Sequence, residues 1–265
     1  MKYLYAAAAN SLALALLPLL LAQGRRARRS TPRLPEAAGA RQGLISAPQE
    51  TCAEPPLRLL AIGESPVAGV GVTHQEHAVT YRFAQALAQH SARAVQWQAL
   101  GMNGATAAQA RHTLLPRVAG QFDIVLLAFG VNDVSQFHSM RHYRQALSAL
   151  AAALAQRCQP RLLLVSGAPP VQYLSALPQP LRAILGLKAA ALNAVSMEVA
   201  AHGGWLHAPI AFDVQDPALL ASDGYHPSAL GAQLWGEELA RLAWGAWHGA
   251  SHAPYVFNNP RKHVS

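Results

Sequence analysis

Two motifs at opposite ends of the chain carry side chains suited to nucleophilic catalysis. A Gly-x-Ser motif ends at Ser65, and an Asp-x-x-His-Pro motif holds Asp223 and His226. An Asp three residues before a His can reach back to one ring nitrogen, which fixes the tautomer in which the other nitrogen accepts a proton. Ser65 is therefore a candidate nucleophile, His226 a candidate base and Asp223 a candidate acid that orients the imidazole.

Two further motifs between them hold groups that can stabilise a negatively charged oxygen. An Asn-Gly-x-Thr motif contains Gly104, whose backbone N–H no side chain shields, and a Gly-x-Asn-Asp motif contains Asn132, whose amide donates without titrating. Three of the four motifs also have an ordinary structural explanation. Ser65 suits a turn or cap, Asn-Gly suits a turn before a helix capped by Thr106, and one histidine suits a surface or capping position.

Other titratable residues compete for the same roles. Asp213 and Asp216 are rival acids for His226, but neither has the tight spacing of a three-residue turn. His138 and His142 are predicted to share one helix face, which is a metal-ligand spacing, yet no acidic companion is expected nearby. We therefore expect no metal site there, and the chemistry requires neither a metal nor an organic cofactor.

The hydropathy pattern predicts the framework that would position these motifs. From residue 57 onward, short apolar runs alternate with longer amphipathic stretches, which is typical of a parallel sheet covered by helices on both faces. Three of the four motifs directly follow predicted strands, where the active sites of such folds lie. The predicted strands are 57–62, 95–100, 124–129, 162–166 and 205–207, and the predicted helices are 78–89, 106–118, 140–157, 181–201 and 228–244.

Taken together, the four motifs resemble the blocks of the GDSL or SGNH hydrolase superfamily, and the resemblance covers about residues 57 to 244. It implies an α/β fold of three layers, α/β/α and flavodoxin-like, with a five-stranded, mainly parallel sheet. It also implies hydrolysis of acyl esters through an acyl-serine. The implied catalytic residues are Ser65, Asp223 and His226, and the implied oxyanion donors are the backbone amides of Ser65 and Gly104 and the side chain of Asn132.

The chain departs from the family pattern at one position, where Glu64 replaces the Asp of Gly-Asp-Ser. This carboxylate is not a triad member, so the change puts substrate preference in doubt more than activity. A competing hypothesis takes Glu64 as the sign of a degraded site in a membrane-tethered binding protein of the same fold.

The sequence encodes the substrate only weakly. The Pro-rich segment 168–187 predicts either an apolar wall beside the catalytic residues or an ordinary connection into a core-facing helix. A wall would suit a lipid or lysophospholipid ester. A small-molecule ester or a thioester fits the motifs equally well.

The chain has 265 residues, of which 52% are hydrophobic, and a formal net charge of +8. This charge is distributed unevenly along the sequence. Residues 1–41 hold seven cations against one anion, and the last five residues hold two cations, which leaves 12 of each sign for residues 42–260. A neutral body offers no basic face for nucleic acid, so we expect no such partner. Cys52 and Cys158 lack any C-x-x-C spacing and are expected to be free thiols.

The N-terminal segment predicts an association with a membrane. Residues 3–22 form an uncharged stretch that is just long enough to span a bilayer as a helix. A cluster of arginines follows this stretch. This flank favours an uncleaved anchor with the catalytic domain in the cytoplasm, and the alternative is export after cleavage of a signal peptide. The predicted organisation is an anchor at 1–24, a basic linker at 25–50, a hydrolase domain at 51–248 and a tail at 249–265.

Overall fold

A six-stranded sheet forms the centre of the computed structural model, which describes residues 16–47, 54–210 and 212–249. The strand order is β1-β3-β2-β4-β5-β6, in which β1 runs antiparallel to β3 and every other neighbouring pair is parallel. The strands are β1 (Gln42–Ile45), β2 (Leu57–Gly63), β3 (Val95–Gly101), β4 (Ile124–Ala128), β5 (Leu162–Ser166) and β6 (Leu206–Ala208).

Parallel pairing brings the carboxyl ends of β2, β3 and β4 to one edge of the sheet. Gly63, the last residue of β2, is paired with Gly101 of β3 on one side and with Ala128 of β4 on the other. All five residues of β4 and all five of β5 are buried, because helices cover both faces of the sheet. The loops that follow β2, β3 and β4 therefore begin side by side.

Helices form the two outer layers. The helices are α1 (Leu17–Ser30), α2 (Ser65–Ala68), α3 (Val79–Ser91), α4 (Ala107–Thr113), α5 (Val131–Ser135), α6 (Met140–Cys158), α7 (Leu181–Gly203) and α8 (Ala229–Gly249). Alternate strand residues face opposite layers: one core packs the sheet against α3 and α8, and the other packs it against α4, α6 and α7.

The predicted three-layer fold is confirmed, with one strand more than expected. The additional strand, β1, lies in the segment predicted to be a linker, so this part of the segment contributes to the sheet. The helix predicted at 106–118 ends as an α-helix at Thr113 and continues as the short 3₁₀ turn Leu115–Arg117. Pro116 explains this end, because proline lacks the N–H that an α-helix would require there.

The predicted anchor lies largely outside the described residues, which begin at residue 16. Its described part belongs to α1, which continues through the arginine cluster and packs on the protein. Leu20 is only 5% exposed, and Gln23 hydrogen-bonds in both directions with the turn before α7: its Nε2 donates to the Gln179 carbonyl at 2.5 Å and its Oε1 accepts from Leu181 N at 3.1 Å.

One helix in the described part of the chain is long and apolar enough to cross a membrane. It is α7, and 61% of its most apolar window is buried inside the protein, as expected for a core helix. The described cysteine, Cys158, is a buried free thiol whose pKa is raised to about 11 by burial. Cys52 and the tail from residue 250 lie outside the described residues.

Candidate active site

Ser65 lies at the turn between β2 and the short helix α2, of which it is the first residue. The turn is tight because Gly63 has no side chain: a Cβ there would lie 2.5 Å from Val67 and 2.7 Å from the Ala128 carbonyl. Pro66 follows in the first turn of α2, where the missing N–H costs nothing. The serine is 8% exposed, at the carboxyl edge of the sheet where the sequence predicted it.

The structure brings Ser65, His226 and Asp223 into one line of hydrogen bonds. His226 Nε2 lies 2.9 Å from Ser65 Oγ, and His226 Nδ1 lies 2.6 Å from Asp223 Oδ2. The other carboxylate oxygen, Asp223 Oδ1, accepts from the backbone amides of Tyr225 at 2.9 Å and His226 at 3.0 Å. Both oxygens of Asp223 are therefore engaged, so the turn that holds the acid also orients the imidazole.

The environment keeps Asp223 ionised. Burial opposes its charge, but the hydrogen bonds from the His226 ring and from the backbone outweigh this effect, and the pKa of the carboxyl is below its usual value. The rival acids cap turns instead: Asp213 accepts from Gln215 N and Asp216 accepts from Ala218 N, both at 2.9 Å.

Gly104 lies in an exposed turn after β3. Its φ is +81°, a left-handed conformation that glycine adopts without strain, and no heavy atom lies within 4 Å of where a Cβ would be. Within the residues that the structure describes, neither the Gly104 N–H nor the Ser65 N–H donates a hydrogen bond to another protein group. Thr106 caps α4, as the structural explanation of the Asn-Gly-x-Thr motif predicted: its side chain accepts from the backbone N–H of Gln109, and the Gln109 side chain accepts from the backbone N–H of Thr106.

The Asn132 side chain is held from two sides. Its Nδ2 donates to Glu64 Oε2 and, at 3.0 Å, to the Ala105 carbonyl. Glu64 also accepts from the backbone amides of Val131 at 2.9 Å and Asn132 at 3.0 Å. Since both amide hydrogens have protein acceptors, an oxyanion at Nδ2 would have to share or replace one of these contacts. Glu64 itself, 4% exposed, is thereby tied to the Gly-x-Asn-Asp motif.

Burial raises the pKa of Glu64 to about 7, despite the hydrogen bonds from Val131 and Asn132 that lower it. The folded state therefore holds this proton more tightly than the unfolded chain does. The resulting stabilisation is complete below pH about 4.5, falls as the pH rises to about 7 and is constant above it. The difference between the two pKa values corresponds to about 3 kcal/mol.

We therefore expect the stability of the wild type, relative to a Glu64→Gln variant, to fall by up to about 3 kcal/mol between pH 5 and pH 8. Gln resembles the protonated acid but cannot ionise. Denaturant unfolding of both proteins at the two pH values measures this double difference, in which contributions of other titrating groups cancel. A pH-independent difference would show that Glu64 does not titrate in this range.

A small cavity lies beside Ser65 and His226. It has a volume of about 40 Å³, which is room for roughly three water molecules. Its apolar lining comes mainly from the segment after β6 and from α8 and includes Pro169, Ile210, Phe212, Val214 and Trp235. Sequence reasoning missed all of these except Pro169, because scattered apolar residues after a short strand carry no motif.

The apolar wall predicted within 168–187 is largely absent. Leu174, Leu181, Ile184 and Leu185 are at most 6% exposed and belong to the core between the sheet and its helices. Of this segment only Pro169 lines the cavity. The alternative prediction, a Pro-rich connection into a core-facing helix, is therefore the correct one for these leucines.

The predicted shared helix face of His138 and His142 is wrong, because α6 begins at Met140 and His138 lies in the loop before it. Their ring centroids nevertheless lie 4.5 Å apart. His138 does have an acidic companion, contrary to expectation: its Nδ1 lies 2.7 Å from Asp133 Oδ1, on the preceding helix α5. Among the described residues, no group of three or more His, Cys, Asp or Glu side chains is arranged to hold a metal ion.

The fold is similar to several solved esterases and lipases. A carbohydrate esterase family 2 enzyme of Corynascus thermopiles has a TM-score of 0.57 and 15% identity, over 76% of this chain and 69% of that one. Phospholipase A1 of Streptomyces albidoflavus has a TM-score of 0.54 and 16% identity, over 71% of this chain and 99% of that one. An acetylxylan esterase of Geobacillus stearothermophilus has a TM-score of 0.50 and 18% identity, over 70% of this chain and 93% of that one.

The sequence carries the family signal as well. No curated protein sequence matches the chain. The profile of the GDSL-like lipase/acylhydrolase family matches residues 61–234, about two thirds of the chain, and this span begins before Ser65 and ends after His226. The chain therefore belongs to the GDSL-like lipase/acylhydrolase family.

Proposed function

We propose that the protein is a serine esterase that hydrolyses carboxylic esters through an acyl-serine intermediate. The observation that carries the proposal is the line of hydrogen bonds from Ser65 Oγ through His226 to Asp223, at 2.9 and 2.6 Å. Nucleophile and base lie within the distance that proton transfer needs, and the base is held by a third group. A binding protein would have no need of this arrangement.

In the proposed mechanism, His226 Nε2 takes the proton of Ser65 as Oγ attacks the ester carbonyl carbon. The tetrahedral intermediate collapses when the alcohol leaves with the proton from His226, and an acyl ester of Ser65 remains. Water then attacks this ester, again with His226 as base, and releases the acid and the free serine. Asp223 stabilises the imidazolium in both steps without itself taking the proton.

The negative oxygen of each tetrahedral intermediate requires donors. We propose the backbone N–H groups of Ser65 and Gly104 and the side-chain amide of Asn132 for this role. The two backbone donors are supported by their lack of acceptors among the described residues. For Asn132 the proposal requires that the contact with the Ala105 carbonyl, at 3.0 Å, gives way to the substrate oxygen.

The size of the cavity supports short acyl groups. A cavity of about 40 Å³ beside the nucleophile favours an acyl chain of a few carbons over a fatty acyl chain. We expect kcat/KM to be highest for acetyl to butyryl esters and to fall at least about tenfold for the octanoyl ester. A panel of p-nitrophenyl esters that differ in acyl length measures this directly.

Two variants make the acyl panel specific to the cavity. Phe212→Ala enlarges the lining and should raise the relative rate on the octanoyl ester. Met197→Ala, at an exposed methionine of α7 outside the lining, should leave the length profile unchanged. A wild type that prefers octanoyl over acetyl esters would instead favour a lipid substrate.

We also propose that the N-terminal segment associates with an anionic membrane and holds the catalytic domain at its cytoplasmic side. On the outer side of α1, Leu17 and Leu21 are 46% and 51% exposed, and Arg25 and Arg29 are exposed beside them. The full-length protein should float with anionic vesicles and less with neutral ones, and replacing Arg25, Arg26 and Arg29 by Ser should weaken the binding. Equal recovery with both vesicle types would count against the charge contribution, and no recovery against the association.

A further inference from the structure

Residues 36–41, which we call the N-terminal brace, lie against the loop that follows the nucleophile helix α2. Ala38 accepts a hydrogen bond from Gln75 N at 2.8 Å. The side chain of Gln75 is 1% exposed and donates to the Ala37 carbonyl at 3.2 Å and to the Ala68 carbonyl at 3.0 Å. One buried amide thus ties the brace to the last residue of α2.

The side chains of the brace reach the neighbouring loop, which follows β3 and contains Gly104. Glu36 Oε1 accepts from the backbone N–H of Asn103 at 2.8 Å. Its other oxygen, Oε2, accepts from Arg41 Nη2 at 2.7 Å, and Arg41 Nη1 donates to the Gly101 carbonyl at 3.1 Å. The ion pair is therefore attached at the last residue of β3, Gly101, and at Asn103, the loop residue before Gly104.

Few other contacts fix the direction of the Gly104 N–H. Gly104 is exposed, and a Cβ there would meet no heavy atom within 4 Å, so packing does not hold this residue, although Ala105 after it is buried. Met102, at the start of the loop, donates its N–H to the Gly63 carbonyl at 3.2 Å. Within the turn, Ala105 N donates to the Met102 carbonyl at 3.2 Å. The peptide that joins Asn103 to Gly104 carries the N–H of Gly104, and its orientation depends on where Asn103 is held.

We propose that Glu36 and Arg41 are positioning residues for the oxyanion hole, which act by fixing the turn that carries the Gly104 N–H. The inference rests on the proposed esterase function and adds to it two residues that lie outside the four motifs. It makes the segment before β1 part of the catalytic unit. Because an oxyanion donor acts only when it is aimed at the developing charge, a loosened turn lowers the rate of reaction more than the binding of the ester.

The test compares Glu36→Ala and Glu36→Gln with a matched control. Gln keeps an oxygen that accepts from Asn103 N but loses the charge that pairs with Arg41. The control, Glu238→Ala, removes a partly exposed carboxylate on α8 that pairs with Arg241, three residues along the same helix, at 2.6 Å. The measurements are kcat and KM on p-nitrophenyl acetate, together with the denaturant midpoint of each variant.

We expect Glu36→Ala to lower kcat about tenfold with KM changed less than about twofold, which is part of the loss that removal of a whole oxyanion donor causes. Glu36→Gln should recover most of kcat, and Glu238→Ala should match the wild type. The denaturant midpoints of the two alanine variants should agree, since each loses one partly exposed ion pair, and the Asn103 N–H that also loses its acceptor is exposed to water.

An active wild type with unchanged kcat in Glu36→Ala would overturn the positioning role and leave the esterase proposal intact. The role would also be overturned if Glu36→Gln lost as much activity as Glu36→Ala, or if the loss followed a lower denaturant midpoint. A wild type that hydrolyses no ester would overturn the esterase proposal, and this inference with it.

Discussion

The Ser65→Ala variant should lose ester hydrolysis by at least about 10⁴-fold in kcat while remaining folded. Alanine removes only Oγ, the atom that lies 2.9 Å from His226 Nε2, and leaves the backbone of the turn in place. The alternative path, direct attack by water with His226 as base, lacks the positioned nucleophile. Hydrolysis of p-nitrophenyl acetate by the wild type and the variant measures the effect.

Covalent labelling by a fluorophosphonate probe gives a second readout for the same variant. The wild type should be labelled and Ser65→Ala should not. Ser166→Ala, which changes a fully buried serine at the end of β5, should be labelled like the wild type. A folded wild type that neither reacts with the probe nor hydrolyses esters would favour the competing hypothesis, a binding protein of the same fold.

The Asp223→Asn variant should reduce kcat by about 10⁴-fold with little change in KM. The Asn carbonyl oxygen can still accept from the backbone amides of Tyr225 and His226, so the turn survives. Its amide nitrogen would donate to His226 Nδ1, which places the ring proton on Nε2, where it faces Ser65. A protonated Nε2 cannot accept the serine proton, and the base is lost although the geometry remains.

Asp213→Asn is the matched control for this experiment. Asp213 also caps a turn, through Gln215 N at 2.9 Å, but it does not contact His226. The control should keep the activity of the wild type. If Asp213→Asn lost activity and Asp223→Asn kept it, the assignment of the orienting acid would be reversed.

Much of the fold was predictable because it depends on local pattern. The buried strands β4 and β5 are continuous apolar runs between polar segments, and α3 and α6 are amphipathic, so a short window of sequence is enough to predict each of them. Strand β1 has no such pattern. It has four residues, none of them fully buried, and exists because its backbone pairs with the free edge of β3. No hydropathy pattern is required for such an edge strand.

The candidate site was predictable for a related reason. Asp223 and His226 lie in one turn, so their spacing already implied their contact, while Ser65, Gly104 and Asn132 each follow a strand of one parallel sheet. Parallel strands end at a common edge, and residues far apart in the chain meet there.

The sequence by itself determined which groups could take part in the chemistry and that one sheet edge would gather them, because residue types and the alternation of strands and helices along the chain are local properties. The tertiary structure decided the rest. It turned Glu64 inward to Asn132 and placed Glu36, from the expected linker, at the turn beside Gly104. It also buried three leucines of the Pro-rich segment in the core, Leu174, Leu181 and Leu185. These outcomes depend on which surfaces remain unpaired once the sheet and helices have packed, and this is a property of the whole fold.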